Sequence, residues 1–122
     1  MTSMSMKTML SGQIWLYSAD PTVGDEIGKT RPAVIVSNNE MGTLRLKVIA
    51  PITGWNEVFE SVVWMVKVDP NRNNGLSKRS AIDTFQVRSV SQQRLIKQIG
   101  TLSDETMEEV SKALGIVINV TN

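Results

Sequence analysis

The side chains best suited to chemistry in this 122-residue chain are an arginine directly before a proline and a threonine two residues after another proline. Arg31 stands directly before Pro32, and a proline restricts the preceding residue to extended conformations. Thr53 lies between Pro51 and Gly54, residue types that are typical of strand ends. A guanidinium offers a forked pair of donors that matches phosphate oxygens, and a hydroxyl can add a further contact. The two residues are therefore candidates for an active site, and the alternative is an arginine in an ordinary ion pair and a threonine in a turn.

The chain contains no histidine and no cysteine. Histidine is the usual general acid or base near neutral pH, so any catalysis must rely on Arg, Lys, Thr, Ser, Asp or Glu. The one tight cluster of carboxylates, at Asp104, Glu105, Glu108 and Glu109, fits the solvated face of a helix. We therefore expect neither a metal site nor a cofactor.

Length and composition predict one globular domain, with 41% hydrophobic residues, 20% charged residues and a net charge of +1. Residues 1–10 are interpreted as a flexible N-terminal tail and residues 11–122 as the domain. The longest apolar run, residues 113–118, is far too short to span a membrane. Because cysteine and a signal peptide are both lacking, we expect a cytoplasmic protein.

Both candidate residues adjoin predicted strands. Residues 33–36 are uniformly apolar, which predicts a strand buried on both faces, with Arg31 held just outside its start. Residues 44–50 alternate between apolar and polar side chains, which predicts a second strand. Pro51 cannot donate to a β-ladder, so we expect this strand to end there and to leave Thr53 at its terminus.

The remaining segments complete a mainly β chain. Further strands are predicted at residues 12–17, 58–68 and 80–90, and Asn74-Gly75 is typical of a hairpin turn. Ser91 is expected to cap a short helix over residues 91–98, and Ser103 a longer C-terminal helix. Antiparallel strands without βαβ alternation predict a mainly β (α+β) fold, either a small barrel or a sandwich.

Several motifs now stand together in one order. They are Gly12-x-Ile14-Trp15, Gly24-x-Glu26-x-Gly28-x-x-Arg31-Pro32-Ala33, Pro51-Ile52-Thr53 and Gln86-Val87-Arg88-Ser89-Val90. In these motifs and their order, over about residues 12–116, the chain resembles the MazF/PemK family of toxin endoribonucleases. The combination of Glu-x-Gly-x-x-Arg-Pro with Pro-x-Thr makes this resemblance specific.

The resemblance implies an SH3-like barrel, a homodimer, and sequence-specific, metal-independent cleavage of single-stranded RNA such as mRNA. It also implies a cognate acidic antitoxin that covers the RNA groove. Arg31 and Thr53 match the family's catalytic pair. The candidate RNA-binding residues are Glu26, Lys29, Ser37, Asn38, Lys78, Gln86 and Arg88. The expected chemistry is attack by the RNA 2′-hydroxyl on phosphorus, which leaves 2′,3′-cyclic phosphate and 5′-hydroxyl ends, and Glu26 is the candidate proton acceptor.

One departure from the family separates its two branches. The PemK branch has an arginine and an aspartate where this chain has Asp83 and Phe85, so that acid–base pair is missing and the MazF arrangement is retained. Two other functions stay open: a toxin of the same fold that poisons gyrase, and a non-catalytic SH3-like module that binds RNA or protein. The presence of both Arg31 and Thr53 favours the nuclease.

Overall fold

The computed structural model describes residues 8–19, 29–41 and 44–120, which form seven β-strands and one α-helix. The strands are β1 (Gln13–Ser18), β2 (Thr30–Ile35), β3 (Leu46–Gly54), β4 (Met65–Val68), β5 (Ser80–Asp83), β6 (Arg88–Ser91) and β7 (Leu95–Thr101). The helix α1 spans Asp104–Val117, and three short 3-10 helices span Glu57–Ser61, Thr84–Gln86 and Gln92–Arg94.

The strands pair antiparallel in the order β4-β5-β3-β2-β1-β7, and β6 also pairs with β3. The 3-10 helix Gln92–Arg94 is the whole connection from β6, which lies beside β3, to β7, which lies beside β1. Three residues span at most about 10 Å, so β3, β2 and β1 must curve until the two ends of this group meet. The five strands therefore curl into a small barrel, as the sequence predicted.

The sheet is apolar on both faces. One cluster lies inside the barrel and includes Trp15, Tyr17, Ala33, Ile35, Ile49, Val90 and Leu95. The other lies between the sheet and α1 and includes Ile14, Val34, Ala50, Ile52, Ile82, Val110 and Ala113. Successive side chains of a strand point to opposite faces, so β2 contributes to both clusters. The prediction that the 33–36 segment is buried on both faces is confirmed.

The predicted helix over residues 91–98 is wrong except at its start. The Ser91 hydroxyl does cap a turn, because it accepts a hydrogen bond from Gln93 N at 3.2 Å. The helix ends at Arg94, and the chain continues as β7, which pairs with β1 and buries Leu95 in the barrel. Tertiary pairing here outweighs local helix propensity.

Two of the predicted strands are shorter than expected. The segment 58–68 begins as the 3-10 helix Glu57–Ser61, capped by the Asn56 side chain, and becomes a strand only at Met65. The segment 80–90 is interrupted by the 3-10 helix Thr84–Gln86. In both cases a side-chain oxygen just before the helix accepts a backbone N–H, which favours a turn over a continuous ladder.

The predicted hairpin is confirmed, since β4 and β5 pair antiparallel around Asn74-Gly75. The connection is a long loop rather than a two-residue turn. Asn74 is fully buried and holds the loop together: its Oδ1 accepts from Asn71 N, and its Nδ2 donates to Asp69 O. Gly75 has φ +70°, and a Cβ there would collide with the Ile99 carbonyl, so glycine is required.

The C-terminal helix begins as predicted, with the Ser103 hydroxyl accepting a hydrogen bond from Thr106 N at 3.1 Å. Val110 and Ala113 are buried against the sheet, and the acidic residues of α1 are exposed. Within the described ranges no helix is long and apolar enough to cross a membrane. Residues 1–7 of the predicted tail lie outside the described residues, and Met9 packs against the barrel cluster.

Candidate active site

The site forms where two central strands part. The β2–β3 ladder ends at the pair Ala33–Pro51. Beyond that pair, β2 continues alongside β1 and carries Arg31, whereas β3 continues alongside β5 and carries Thr53. The two strands therefore splay apart and leave a cleft between them.

The register of the ladder places the two candidate residues opposite each other. Each β2–β3 pair has residue numbers that sum to 84, as in Ala33–Pro51, so the same register would pair Arg31 with Thr53. Pro32 and Pro51 provide no N–H at the point of divergence, so the ladder loses donors there. Arg31 and Thr53 thus stand on facing edges of the cleft.

Two details of the predicted surroundings are corrected. Arg31 lies inside β2, which begins at Thr30, because residues 30–32 pair with β1 before β2 meets β3. Likewise β3 runs through Pro51 to Gly54, so the proline ends one ladder and not the strand. Both side chains are exposed at positions fixed by regular strands.

The cleft is a cavity of about 440 Å³ at one mouth of the barrel. Its lining comprises Tyr17, Ala19, Arg31, Pro51, Ile52, Thr53, Phe59, Met65, Asp83, Gln86 and Arg88. Side chains separated by an even number of residues along a strand point to the same face of the sheet. Arg31 therefore shares the face of Ala33, and Thr53 shares the face of Ile49, and this face fills the barrel. Arg31 and Thr53 thus lie where the interior face of the barrel opens to solvent.

Neither side chain of this pair is used by the fold that surrounds it. Among residues 8–19, 29–41 and 44–120, the Arg31 guanidinium and the Thr53 hydroxyl make no hydrogen bond or ion pair. An exposed arginine without such a carboxylate partner keeps its five N–H donors available to an anion. The alternative of an ordinary surface ion pair finds no support among these residues.

A third wall of the cleft is built by an insertion between β5 and β6. Ile52 pairs with Ile82 and Ile49 pairs with Arg88, so residues 83–87 stand opposite residues 50–51 alone. The extra residues on this side form the 3-10 helix Thr84–Gln86. This insertion places Asp83 and Gln86 in the cleft lining.

Asp83 is a member of the site to which the sequence assigned no role. It is 6% exposed, and both carboxylate oxygens are engaged: Oδ1 accepts from Phe85 N at 3.1 Å and Oδ2 accepts from Gln86 Nε2 at 2.8 Å. The carboxylate therefore caps the 3-10 helix and fixes the Gln86 amide. The available signal was an acidic residue at the end of the apolar strand segment Ala81-Ile82.

Of the other predicted cations, Arg88 lines the cleft, and Lys29 and Lys78 lie next to the strands that carry Arg31 and Thr53. Arg88 lines it and donates from one guanidinium nitrogen to Ala19 O at 3.3 Å. The carbonyl of Lys29 accepts from Ala19 N, which places this exposed lysine near the start of β2. Lys78 lies against the backbone of Gly54, because a Cβ there would be 3.2 Å from its Nζ. Glu26 lies outside the described residues.

Two predicted RNA-binding residues are placed elsewhere. Ser37 and Asn38 line a separate groove of about 340 Å³ together with Leu44 and Leu46. The Ser37 hydroxyl accepts from Val48 N, and Asn38 Oδ1 accepts from Glu40 N. These residues follow the far end of β2, about 20 Å along the strand from Arg31 at about 3.3 Å per residue. The structure therefore does not bring them to the cleft.

Among the described residues that line the cleft, the charged side chains carry a net positive charge. They are Arg31, Arg88 and Asp83, and Asp83 is engaged with its own 3-10 helix. By contrast, Arg79 in the nearby loop donates to Asp69 at 2.6 Å, a hydrogen bond that raises the pKa of Arg79. The described residues include no group of three or more acidic side chains placed to hold a metal ion.

Proteins of similar sequence are ribonucleases by name. The chain is 31% identical to "Endoribonuclease MazF" of Staphylococcus saprophyticus, over 92% of each chain. It is 30% identical to "Endoribonuclease EndoA" of Bacillus subtilis, over 86% of this chain and 90% of the relative. It is also 25% identical to "Endoribonuclease MazF9" of Mycobacterium tuberculosis, over 92% and 98%.

Solved structures share the fold. A crystal structure of MazE-MazF from Deinococcus radiodurans superposes with a TM-score of 0.76 at 21% identity, covering 94% of this chain and 99% of that one. A mycobacterial endoribonuclease in complex with its cognate antitoxin gives 0.72 at 18% identity, over 93% and 97%. The family model for the PemK-like, MazF-like toxin of type II toxin-antitoxin systems matches residues 10–118. The chain that sets Arg31 against Thr53 across a splayed strand pair belongs to this toxin family.

Proposed function

We propose that this chain is the endoribonuclease toxin of a toxin–antitoxin pair and that the cleft between β2 and β3 is where it cleaves single-stranded RNA. The observation that carries the proposal is the placement of Arg31 and Thr53 on facing edges of that cleft, without partners among the described residues. The relatives named as endoribonucleases support the same activity. The two residues line the same cavity, where a guanidinium and a hydroxyl can both donate to a phosphate.

In the proposed reaction the RNA supplies its own nucleophile. The 2′-oxygen forms a bond to phosphorus and loses its proton, while the bond from phosphorus to the 5′-oxygen breaks and that oxygen gains a proton. The products are a 2′,3′-cyclic phosphate and a 5′-hydroxyl. Arg31 neutralises the charge that grows on the non-bridging oxygens, and such placed electrostatic stabilisation is worth about 3–4 kcal/mol. Thr53 donates its hydroxyl to the same phosphate.

A proton acceptor is needed for the 2′-hydroxyl, and arginine, with a pKa above about 12, is a poor one. Asp83 is the carboxylate of the cleft lining, but its two oxygens already accept from Phe85 N and Gln86 Nε2. Asp83 is therefore assigned a positioning role. Glu26, which precedes β2 in the sequence, is the proposed acceptor.

Binding of the RNA chain is assigned to the residues around the reactive pair. Arg88 uses one nitrogen on Ala19 O and retains other donors for a neighbouring phosphate. Lys29, next to the start of β2, and Lys78, against Gly54, are assigned contacts with the RNA backbone, where ammonium groups act as point charges. The Gln86 amide, held by Asp83, is suited to the edge of a base.

The proposed partners follow from the family. A cognate antitoxin with acidic residues would inhibit by covering the positive cleft, and the protein is expected to act as a homodimer in the cytoplasm, where its mRNA substrate occurs.

A mixed-sequence RNA incubated with purified protein tests the proposal, with Arg31→Ala as the matched inactive variant. Discrete fragments from the wild type alone are expected. Intact RNA together with inhibition of purified gyrase would contradict the proposal.

A further inference from the structure

Phe85 is the aromatic residue that the fold leaves most open to solvent. The chain has three tryptophans, one tyrosine and two phenylalanines, all within the described ranges, and Phe85 alone among them is classed as exposed, at 58%. It is the middle residue of the 3-10 helix Thr84–Gln86. Asp83 and Gln86 line the candidate cleft, whereas Phe85 is not part of its lining, so the backbone of Phe85 lies beside the cleft between two residues that face it.

The backbone beneath this phenylalanine is fixed by several hydrogen bonds. Phe85 N donates to Asp83 Oδ1 at 3.1 Å. The preceding Thr84 is fully buried, and both its backbone N and its hydroxyl donate to Trp64 O, at 3.1 and 2.7 Å. The fold thus fixes the backbone of Phe85 but leaves most of its apolar side chain in solvent. Burial in the core does not account for this side chain.

The ring of Phe85 is supported on one side by a second aromatic. It meets Trp64 with centroids 5.3 Å apart and an interplanar angle of 62°, an edge-to-face contact. Trp64 is half-buried, so it is itself anchored. An aromatic side chain already held in place loses little conformational freedom when a ligand stacks on it.

The other aromatic pair beside the cleft is less accessible to a ligand. Trp55 and Phe59 are half-buried and pack edge to face at 5.7 Å. The ammonium of Lys67 lies 4.7 Å from the centroid of the Trp55 ring and is paired with Glu60 at 3.5 Å. The face of Trp55 is thus occupied by a cation of the same chain, whereas more than half of Phe85 is open.

We propose that Phe85, backed by Trp64, is a stacking platform for one base of the bound single-stranded RNA. The inference rests on the proposed function, because it places a nucleobase beside the phosphate that Arg31 and Thr53 would hold. Single-stranded RNA exposes unpaired bases, and aromatic side chains bind their flat faces with little regard to base identity. The platform would hold the strand, while Gln86 next to it is placed to read an edge.

The experiment begins by mapping the cleavage site of the wild-type protein on a mixed-sequence RNA. A twelve-nucleotide RNA containing that site is then made with a single 2′-deoxy sugar 5′ to the cut, so that it binds without being cleaved. Its affinity is measured by fluorescence anisotropy for the wild type and for Phe85→Tyr, Phe85→Leu and Phe85→Ala. Ile96→Ala, which removes an exposed apolar side chain from β7, is the control.

Loss of one stacked base should weaken binding by about ten- to a hundredfold in Phe85→Ala and Phe85→Leu. Phe85→Tyr, which keeps the aromatic face, should stay within about threefold of the wild type, and Ile96→Ala should be unchanged. Replacing the RNA bases one at a time by abasic sites should then reveal one position that weakens the wild type by the same factor and leaves Phe85→Ala unaffected.

Three results would overturn the platform. If Phe85→Ala bound the RNA as tightly as the wild type, the exposed ring would not contact RNA and would instead be assigned to a protein partner. Full affinity in Phe85→Leu would mean that apolar bulk suffices without stacking. Weakened binding with no abasic position coupled to Phe85 would mean a general loss of structure. A wild-type protein that cuts no RNA refutes the proposed function at the first step, so the two failures are distinguishable.

Discussion

At the scale of single residues, the site depends on two side chains that ordinary strand pairing would have brought together. Arg31 and Thr53 occupy register positions of an antiparallel pair whose ladder has already ended. Their backbone positions are held by β1 and β5, and both residues line a cavity of about 440 Å³. Geometry of this kind is rigid before substrate arrives, which is the condition under which electrostatic stabilisation is effective.

Replacing Arg31 by lysine should be nearly as damaging as replacing it by alanine. A lysine ammonium is a point charge and cannot reproduce the two parallel donors of a guanidinium. We expect a loss of about 10²–10³ in cleavage rate for either variant. Arg45→Lys, at an exposed arginine before β3, is the matched control and should cleave normally. Retention of most of the rate by a folded Arg31→Lys protein would show that a generic charge is enough.

Thr53→Val tests the hydroxyl with little change of shape. A hydrogen bond to a charged group is worth about 1.5–3 kcal/mol, so cleavage should fall by about ten- to a hundredfold. Because Thr53 is exposed and valine favours strands, the thermal midpoint should not fall. Thr101→Val, at an exposed strand end of β7, serves as the comparison. Wild-type rates in Thr53→Val would return Thr53 to the role of a strand residue.

At the scale of elements, the cleft exists because the β2–β3 ladder stops at Pro51 and because β5 does not continue into β6 as one strand. Pro51 ends the β2 ladder, β3 passes to β5, and the 3-10 helix Thr84–Gln86 fills the place where a continuous β5–β6 strand would have closed the opening. Asp83 holds that helix through Phe85 N and Gln86 Nε2. This wall of the candidate site thus depends on one buried carboxylate.

Asp83→Ala should therefore affect both stability and cleavage. Removing the acceptor of two partly buried donors costs about 1–3 kcal/mol in the free energy of unfolding, measurable by urea denaturation. Cleavage should fall as well, because Gln86 is released. Asp69→Ala removes an exposed ion pair with Arg79 and should cost less than about 1 kcal/mol. Equal stability of the two variants would contradict the structural role given to Asp83.

The sequence predicted those parts of the site that depend on local chemistry. The prolines beside Arg31 and near Thr53, and the uniformly apolar 33–36 segment, pointed to two side chains that line one cleft and to the central strand. The sequence did not predict the 3-10 helix Thr84–Gln86, because its anchor is a hydrogen bond from Thr84 to Trp64 O, twenty residues away. Nor could local propensity show that β7 pairs with β1 in place of a helix.

At the scale of the whole molecule, the barrel buries one apolar cluster and α1 covers the other, yet apolar side chains remain outside. The exposed ones include Met41, Leu44, Leu46, Ile116, Ile118 and Val120. Exposed apolar surface of this kind is common where subunits meet. Such surface is consistent with the homodimer that the family resemblance implies.

Sedimentation equilibrium at micromolar concentration should accordingly give twice the 13.5 kDa chain mass. The apolar side chains near β3 or those at the end of α1 would lie at the contact, so Leu46→Glu or Ile116→Glu should shift the equilibrium toward monomer. Asp104→Lys, a charge change at the other end of α1, is the control. A wild-type monomer at these concentrations would contradict the expectation.

The central claim is that the cleft between Arg31 and Thr53 cleaves RNA through the substrate's own 2′-hydroxyl. Its most direct test is to incubate the protein with RNA of the mapped site in excess EDTA and to determine both new ends by mass spectrometry. We predict undiminished cleavage that leaves a 2′,3′-cyclic phosphate on one fragment and a 5′-hydroxyl on the other. An RNA whose sugar 5′ to the cut is 2′-deoxy should not be cleaved. A 5′-phosphate end, a requirement for added magnesium, or cleavage of the deoxy substrate would contradict the mechanism.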